Sequence, residues 1–336
     1  MAGKAYADEE KAKNTIHLKG LLEQLPPFCY TYFRGISQTT SVKTRMGYAY
    51  DLKVFFGFLC AEHKDFKGVK FEDIRPEDLE LVNSEDIEEF LDYVSIYSPY
   101  NDEDGICGKE TILNSESAKA RKLAAVRSMY KYYLRKGYIS TDPAALVDTP
   151  KIHDKNIIRL EANEVANLLD EVETGENLTE RQQKFHEKTK IRDLAIITTL
   201  VGTGIRVSEC VGLNIDDINF DSFSFVITRK GGKEAEIYFG DEVAEALSDY
   251  LVYRKAHPPV DENDKSLFLS NRGKRISVRQ VELMVKKYAQ TAVKTKKITP
   301  HKLRSTFGTN LYLETGDIYL VADVLGHADV NTTRKH

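Results

Sequence analysis

The stretch FDSFSFVITRKGGKEAEIYF, residues 220–239, changes the period of the chain. Phe223, Phe225 and Ile227 stand two apart, RKGGKE follows, and Ala235, Ile237 and Phe239 stand two apart again. A period of two around a Gly-Gly turn predicts a β-hairpin with Lys230 and Lys233 at its tip. On both sides the pattern returns to helical spacing. Upstream lie LEANEVANLLDEV from Leu160 and KIRDLAIITTLVGTGIRVSECVGL from Lys190. Downstream come GDEVAEALSDYLVYRKA, SVRQVELMVKKYAQTA, TPHKLRSTFGTNLYLETG and DIYLVADVLGH. Residues 157–336 therefore read as a mainly helical domain holding one small antiparallel sheet.

Further upstream, TDPAALVDTPKIHDKNIIRL has two prolines and no period, which marks residues 151–156 as a linker. Residues 21–150 read as a helical bundle. SVKTRMGYAYDLKVFFGFLCAEH from Ser41 places Met46, Tyr50, Leu52, Phe55, Phe56 and Leu59 on one face. NSEDIEEFLDYVSIY turns Ile87, Phe90, Leu91 and Val94 inward. SAKARKLAAVRSMYKYYLRKGY turns Leu123, Val126, Tyr130 and Leu134 inward and stops at Gly137. Residues 1–20 form a loose or accessory helical arm in this reading. The fold class is mainly α, with two domains in 336 residues.

Composition excludes several classes. A 41% hydrophobic content supplies real cores, so whole-chain disorder is excluded. The apolar stretch between Asp193 and Arg206 is far short of the roughly 20 residues that span a bilayer, and the polar start MAGKAYADEEKAKN carries no export signal. A cytoplasmic protein without a membrane partner is expected. Cys29, Cys60, Cys107 and Cys210 are scattered singly, with neither C-x-x-C nor histidines at zinc spacing, so reduced thiols and no metal site are expected. No Walker motif and no H-E-x-x-H occur; HEKTK at His186 lacks the second histidine. The net charge of −4 conceals segregation. Residues 119–136 hold seven Lys or Arg and no acid, whereas residues 72–92 hold ten acids and one Arg. A local basic surface, rather than the total, steers a polyanion, although an ordinary solvated helix face has the same composition.

Four short segments carry chemistry. GTGIRVSE sets Arg206 and Glu209 three apart after a glycine turn. RKGGK sets Lys230 on the hairpin. TPHKLRSTF opens a helix at Thr299 and Pro300, with His301 and Arg304 on one face. LGHADV ends a helix at Gly326 and presents His327. Each alone is an ordinary surface or capping feature. Together and in this order they resemble the tyrosine recombinase (phage integrase) family, including its Xer-type members, over the whole second domain. The bundle before it resembles that family's core-binding, SAM-like domain.

The resemblance implies a site-specific recombinase or integrase that cuts and rejoins duplex DNA through a 3′-phosphotyrosyl link, for integration or excision of a mobile element or for chromosome-dimer resolution. Breaking a phosphodiester without metal or other cofactor needs fixed positive charge at the phosphorus. Two guanidiniums, Arg206 and Arg304, donate in forks and stay charged at working pH. His301 and His327 add donors, and His301 can also move the nucleophile's proton. By resemblance Lys230 is the general acid for the 5′-oxygen, while Glu209 orients its neighbours. The nucleophilic tyrosine is absent from the 336 residues and is due at His336 or one residue later, so a domain truncated at the nucleophile, binding DNA without forming a covalent adduct, is expected of the chain as given. Tyr312 and Tyr319 precede His327 and read as packing residues. In the bundle, Lys43, Arg45, Lys119, Arg121, Lys122 and Arg127 are expected to face the major groove. Duplex DNA with paired inverted half-sites and a tetramer on DNA are the implied partners. A type IB topoisomerase-like enzyme, or a non-catalytic DNA-binding protein, are the alternatives.

Overall fold

The computed structural model describes residues 2–98, 100–101, 105–106, 111–153, 157–229, 232–327 and 329–334. Cys107, part of the expected linker, Lys230 and His336 lie outside the described residues. The chain divides into two compact units, Glu9–Asp154 and Lys155–His336 together with Met1–Asp8. Among the described residues no helix is long and apolar enough to cross a membrane.

The first unit is built on α1 (Ala2–Leu22) from Glu9 onward, α2 (Cys29–Gly35), α3 (Val42–Glu62), α4 (Ser84–Tyr93) and α5 (Glu116–Lys136). Two short antiparallel pairs, β1 (Ile96–Tyr97) with β4 (Ile112–Leu113) and β2 (Tyr100–Asn101) with β3 (Gly105–Ile106), lie between α4 and α5. Ser41 Oγ accepts from Thr44 N to start α3, and Gly137 at φ 74° ends α5. Phe55, Phe56, Phe90 and Tyr130 are fully enclosed, each contributing about 2 kcal/mol over an exposed ring. The arm expected at residues 1–20 is helix throughout its described length, and Leu18, Leu21 and Leu22 belong to this core. Two inward expectations are corrected: Tyr50 and Leu134 are exposed, and Met129 and Tyr133 are buried on α5 instead.

The second unit holds α6 (Ala162–Thr174), α7 (Glu180–Thr203), α8 (Val207–Gly212), α9 (Asp241–Ala256), α10 (Val278–Ala292), α11 (Pro300–Thr315), α12 (Ile318–Leu325) and α13 (Val330–Arg334). Its sheet has the order β5 (Ile218–Asn219), β6 (Ser224–Thr228), β7 (Glu234–Tyr238), all antiparallel. Phe225 faces Ile237 across the hairpin, and both are buried with Ile227. Phe223, expected to alternate with Phe225 and Ile227 in the strand, stands before β6 at φ 50° and is exposed, because the turn after β5 takes that residue out of the pleat. Cys29, Cys60 and Cys210 are buried, and burial pushes the Cys29 and Cys210 thiols well above the usual thiol range.

Candidate active site

Each element delivers its side chain through a local cause. Gly204 ends α7 at φ 61°, a left-handed position, and the ring of Phe307 occupies the space a Cβ there would need. The chain then turns, and Arg206 precedes the first turn of α8. Glu209 accepts from Arg206 N at 2.7 Å through Oε2 and from Arg206 Nη1 at 2.9 Å through Oε1. One buried carboxylate thereby caps the helix and fixes the guanidinium beside it. Pro300 opens α11, which carries His301 in its first turn and Arg304 one turn on.

Arg304 is 4% exposed although it carries a full charge. Its Nη1 donates to Gly204 O at 2.6 Å, and its Nη2 donates to Leu325 O and lies 3.3 Å from His327 Nε2. The other contacts converge on the same place. Arg206 Nη2 donates to Gly326 O at 3.4 Å, while Arg229 donates to Asp323 O at 3.2 Å and Val324 O at 2.8 Å. Three guanidiniums thus meet the last carbonyls of α12, the end where the helix dipole is negative and where carbonyls lack intrahelical donors. Gly326, at φ 64°, closes the helix there; a Cβ on it would come within 2.3 Å of Arg229 Nη1.

This concentration of like charge shows in the titration of its members. Burial, then the Arg206 charge, brings Arg304 down to about 10, opposed by Glu209. It stays a cation at neutral pH. Burial, followed by the charges of Lys302, Arg304 and Arg206, holds His301 below the ordinary histidine value. A pocket of fixed cations beside a neutral imidazole can bind an oxyanion and can take up a proton.

Of the residues expected from sequence, Arg206, Glu209, Arg304 and His327 are brought together by direct contacts, and His301 shares their field. Lys230 lies outside the described residues, so only its flanks are seen: Arg229 N donates to Lys233 O at 2.7 Å, and Gly232 takes φ 79°. Arg229 escaped the sequence reading; its one signal was adjacency to Lys230. Tyr312 and Tyr319, expected to pack, are exposed at 45% and 72%, because α11 and α12 bury their opposite faces.

The six residues expected at a DNA groove divide. Lys43 is exposed and Arg45 half-buried on α3. Lys119 bonds Glu116 at 2.8 Å and Ser95 Oγ at 3.3 Å. Arg121 is half exposed while it pairs with Asp51 at 2.5 Å. Lys122 is corrected: it is 5% exposed and bonded to the buried Asp51 at 3.2 Å, so it belongs to the α3–α5 core rather than to a groove face. Arg127 is half-buried. Its guanidinium donates to Ala144 O, Val147 O and Thr149 Oγ1, tying the segment after α5 to the helix.

Residues 158–336 match the model of the phage integrase family. The tyrosine recombinase XerC of Caldanaerobacter subterraneus subsp. tengcongensis is 35% identical over 309 residues, covering 90% of this chain and 79% of that protein. Among solved structures, the XerH site-specific recombinase in its pre-cleavage complex with difH substrate superimposes with a TM-score of 0.63 at 21% identity, covering 88% of this chain and 77% of that one. A lambda integrase dimer bound to a COC′ core site gives 0.61 at 16% identity, covering 91% and 95%. At these identities the structural likeness speaks for the fold.

Proposed function

The chain belongs to the phage integrase family, and from that premise we propose that it is a site-specific recombinase that breaks and rejoins duplex DNA with the arginine pocket at the end of α12. The observation that supports this most is the convergence of Arg206 and Arg304 beside His327, with Glu209 holding Arg206. Arg206 is the more open of the two, with 36% of its side chain exposed, and can meet a phosphate from the solvent side. Arg304 supplies charge from beneath.

The hydroxyl of a tyrosine at the nucleophile position attacks phosphorus, and its oxygen forms the new P–O bond. The bond to the 5′-oxygen breaks, and Lys230 protonates that leaving oxygen. His301 takes the phenol proton as the attack proceeds, which suits an imidazole held neutral. The arginines and His327 meet the negative charge on the non-bridging oxygens, contributions commonly worth several kcal/mol each in the transition state. The 3′-phosphotyrosyl link retains the bond energy, so religation needs no nucleotide. The same proposal extends to paired inverted half-sites with a tetramer on DNA, serving chromosome-dimer resolution or element integration.

The test is covalent trapping on a nicked half-site duplex by a form of the protein that carries a tyrosine at the nucleophile position, 336 or 337. Arg206→Ala and Arg304→Ala should lose the adduct yet retain gel-shift binding. Lys230→Ala should regain cleavage on a 5′-phosphorothiolate, whose leaving group needs no proton. Half-site protection without any adduct in that tyrosine-bearing form would instead assign a DNA-binding role without catalysis, and adducts at scattered positions would assign a topoisomerase.

A further inference from the structure

The hydrogen bonds of His327 determine which of its nitrogens carries the proton. Arg304 Nη2 lies 3.3 Å from His327 Nε2, and a guanidinium can only donate. Nε2 therefore presents its lone pair, and the ring is neutral with its hydrogen on Nδ1. Nδ1 lies 2.9 Å from Thr333 Oγ1. The hydroxyl is thus the acceptor for Nδ1–H. Thr333 is 7% exposed on α13, so water competes poorly for that bond.

We infer that Thr333 is a positioning residue of the pocket: by accepting from Nδ1–H it holds His327 in the tautomer that lets Nε2 accept from Arg304 and orient its guanidinium. The inference rests on the proposed role of the arginines and His327 at the phosphate. A hydroxyl suits the task because it can both accept and donate. While the pocket holds no anion, it accepts from Nδ1–H. When a phosphate oxygen takes a hydrogen bond from Nε2, two routes are open. The ring gains a proton and keeps Nδ1–H on Thr333, or it changes tautomer and the hydroxyl rotates to donate to Nδ1. A valine of the same shape permits neither. A carboxylate in that place would favour the imidazolium at all times and set a second cation against Arg304.

The decisive measurement is the ¹⁵N spectrum of the chain labelled at histidine ring nitrogens, with His327 assigned by its loss in His327→Gln. Near neutral pH, Nδ1 should show a protonated-type shift and Nε2 a lone-pair-type shift. Thr333→Ser should preserve that pattern, and Thr333→Val should lose it. A proton on Nε2 in the unaltered protein overturns the inference, and that spectrum decides the matter even if the valine variant does not fold. An unchanged pattern in a folded Thr333→Val overturns it as well. In cleavage by the form that carries a tyrosine at the nucleophile position, Thr333→Val should be slower by about tenfold, the scale of one lost buried hydrogen bond, with Thr333→Ser near the rate of that form without a Thr333 change. Equal rates for all three would refute the positioning role. Undiminished cleavage by His327→Gln would instead remove His327 from the reaction, a failure of the functional reading that the tautomer spectrum detects separately.

Discussion

Arg304 and Arg206 illustrate how two residues of one type differ by their surroundings. Arg304 is enclosed and bonded to carbonyls of two loops, Gly204 and Leu325. Removing it leaves those acceptors without a charged donor, so Arg304→Ala should cost about 2–3 kcal/mol in urea unfolding as well as abolish cleavage. Arg206 is partly open, and its side chain bonds chiefly to Glu209. Arg206→Ala should therefore lose cleavage with about 1 kcal/mol of stability or less. Equal destabilisation by both would contradict this division. His301 adds a pH prediction. Burial and the neighbouring cations hold its conjugate acid below the ordinary histidine value, so the neutral ring needed to take a proton persists below that value. The acid limb of kcat/KM should lie under pH ~6.5, the ordinary histidine value, and should disappear in His301→Gln. An acid limb above that value would argue against His301 as the proton acceptor.

At the scale of elements, the carbonyl end of α12 is the joint on which the pocket depends. Gly326 occupies a left-handed turn and leaves room for Arg229. Gly326→Ala should cost more than about 1 kcal/mol in thermal or urea unfolding, since it adds φ strain to a clash with a guanidinium. Glycine at 232, with a similar φ and open space around a Cβ, is the control that carries only the strain. In the first unit, α3 and α5 meet around Asp51. Its carboxylate is 1% exposed and takes Lys122 and Arg121, yet burial still raises its pKa above the ordinary carboxyl value. Asp51→Ala leaves Lys122 buried without its counter-charge and should destabilise this unit by about 3 kcal/mol. A loss under about 1 kcal/mol would mean that water reaches Lys122 readily.

For the whole molecule, charge placement determines how binding responds to salt. Each phosphate contact removed from a protein–DNA complex lowers the slope of log K against log salt by about 0.9. If α3 faces DNA, Lys43→Ala should reduce that slope by about one contact's worth. Lys122→Met, at a buried position, should leave the slope unchanged while altering stability. The reverse pattern would show that the bundle binds through a different face from the one its basic helix suggests. The net charge of −4 then matters little, because screening over about 10 Å at 0.1 M salt makes the local surface the effective one.

The main helices, the hairpin within 220–239 and the glycine ends at Gly137, Gly204 and Gly326 were legible in the sequence, whereas the short strand pairs between α4 and α5 were not. The legible features depend on spacing within a few residues: a pleat repeats every two, a helix face every three or four, and a left-handed cap needs glycine at one position. The tertiary structure alone decided which charges are free. Lys122 and Asp51 lie 71 positions apart, and only the packing of α5 on α3 turns a lysine of a basic run into half of a buried pair. The same holds for Arg229 and Thr333. Each looks like an ordinary turn or helix residue in sequence, and each becomes part of the pocket because α12 ends against Arg229 and α13 folds back on His327. Burial and hydrogen-bond partnership are properties of distant segments meeting, so no local pattern encodes them, and those meetings are what turn a set of suggestive residues into a site.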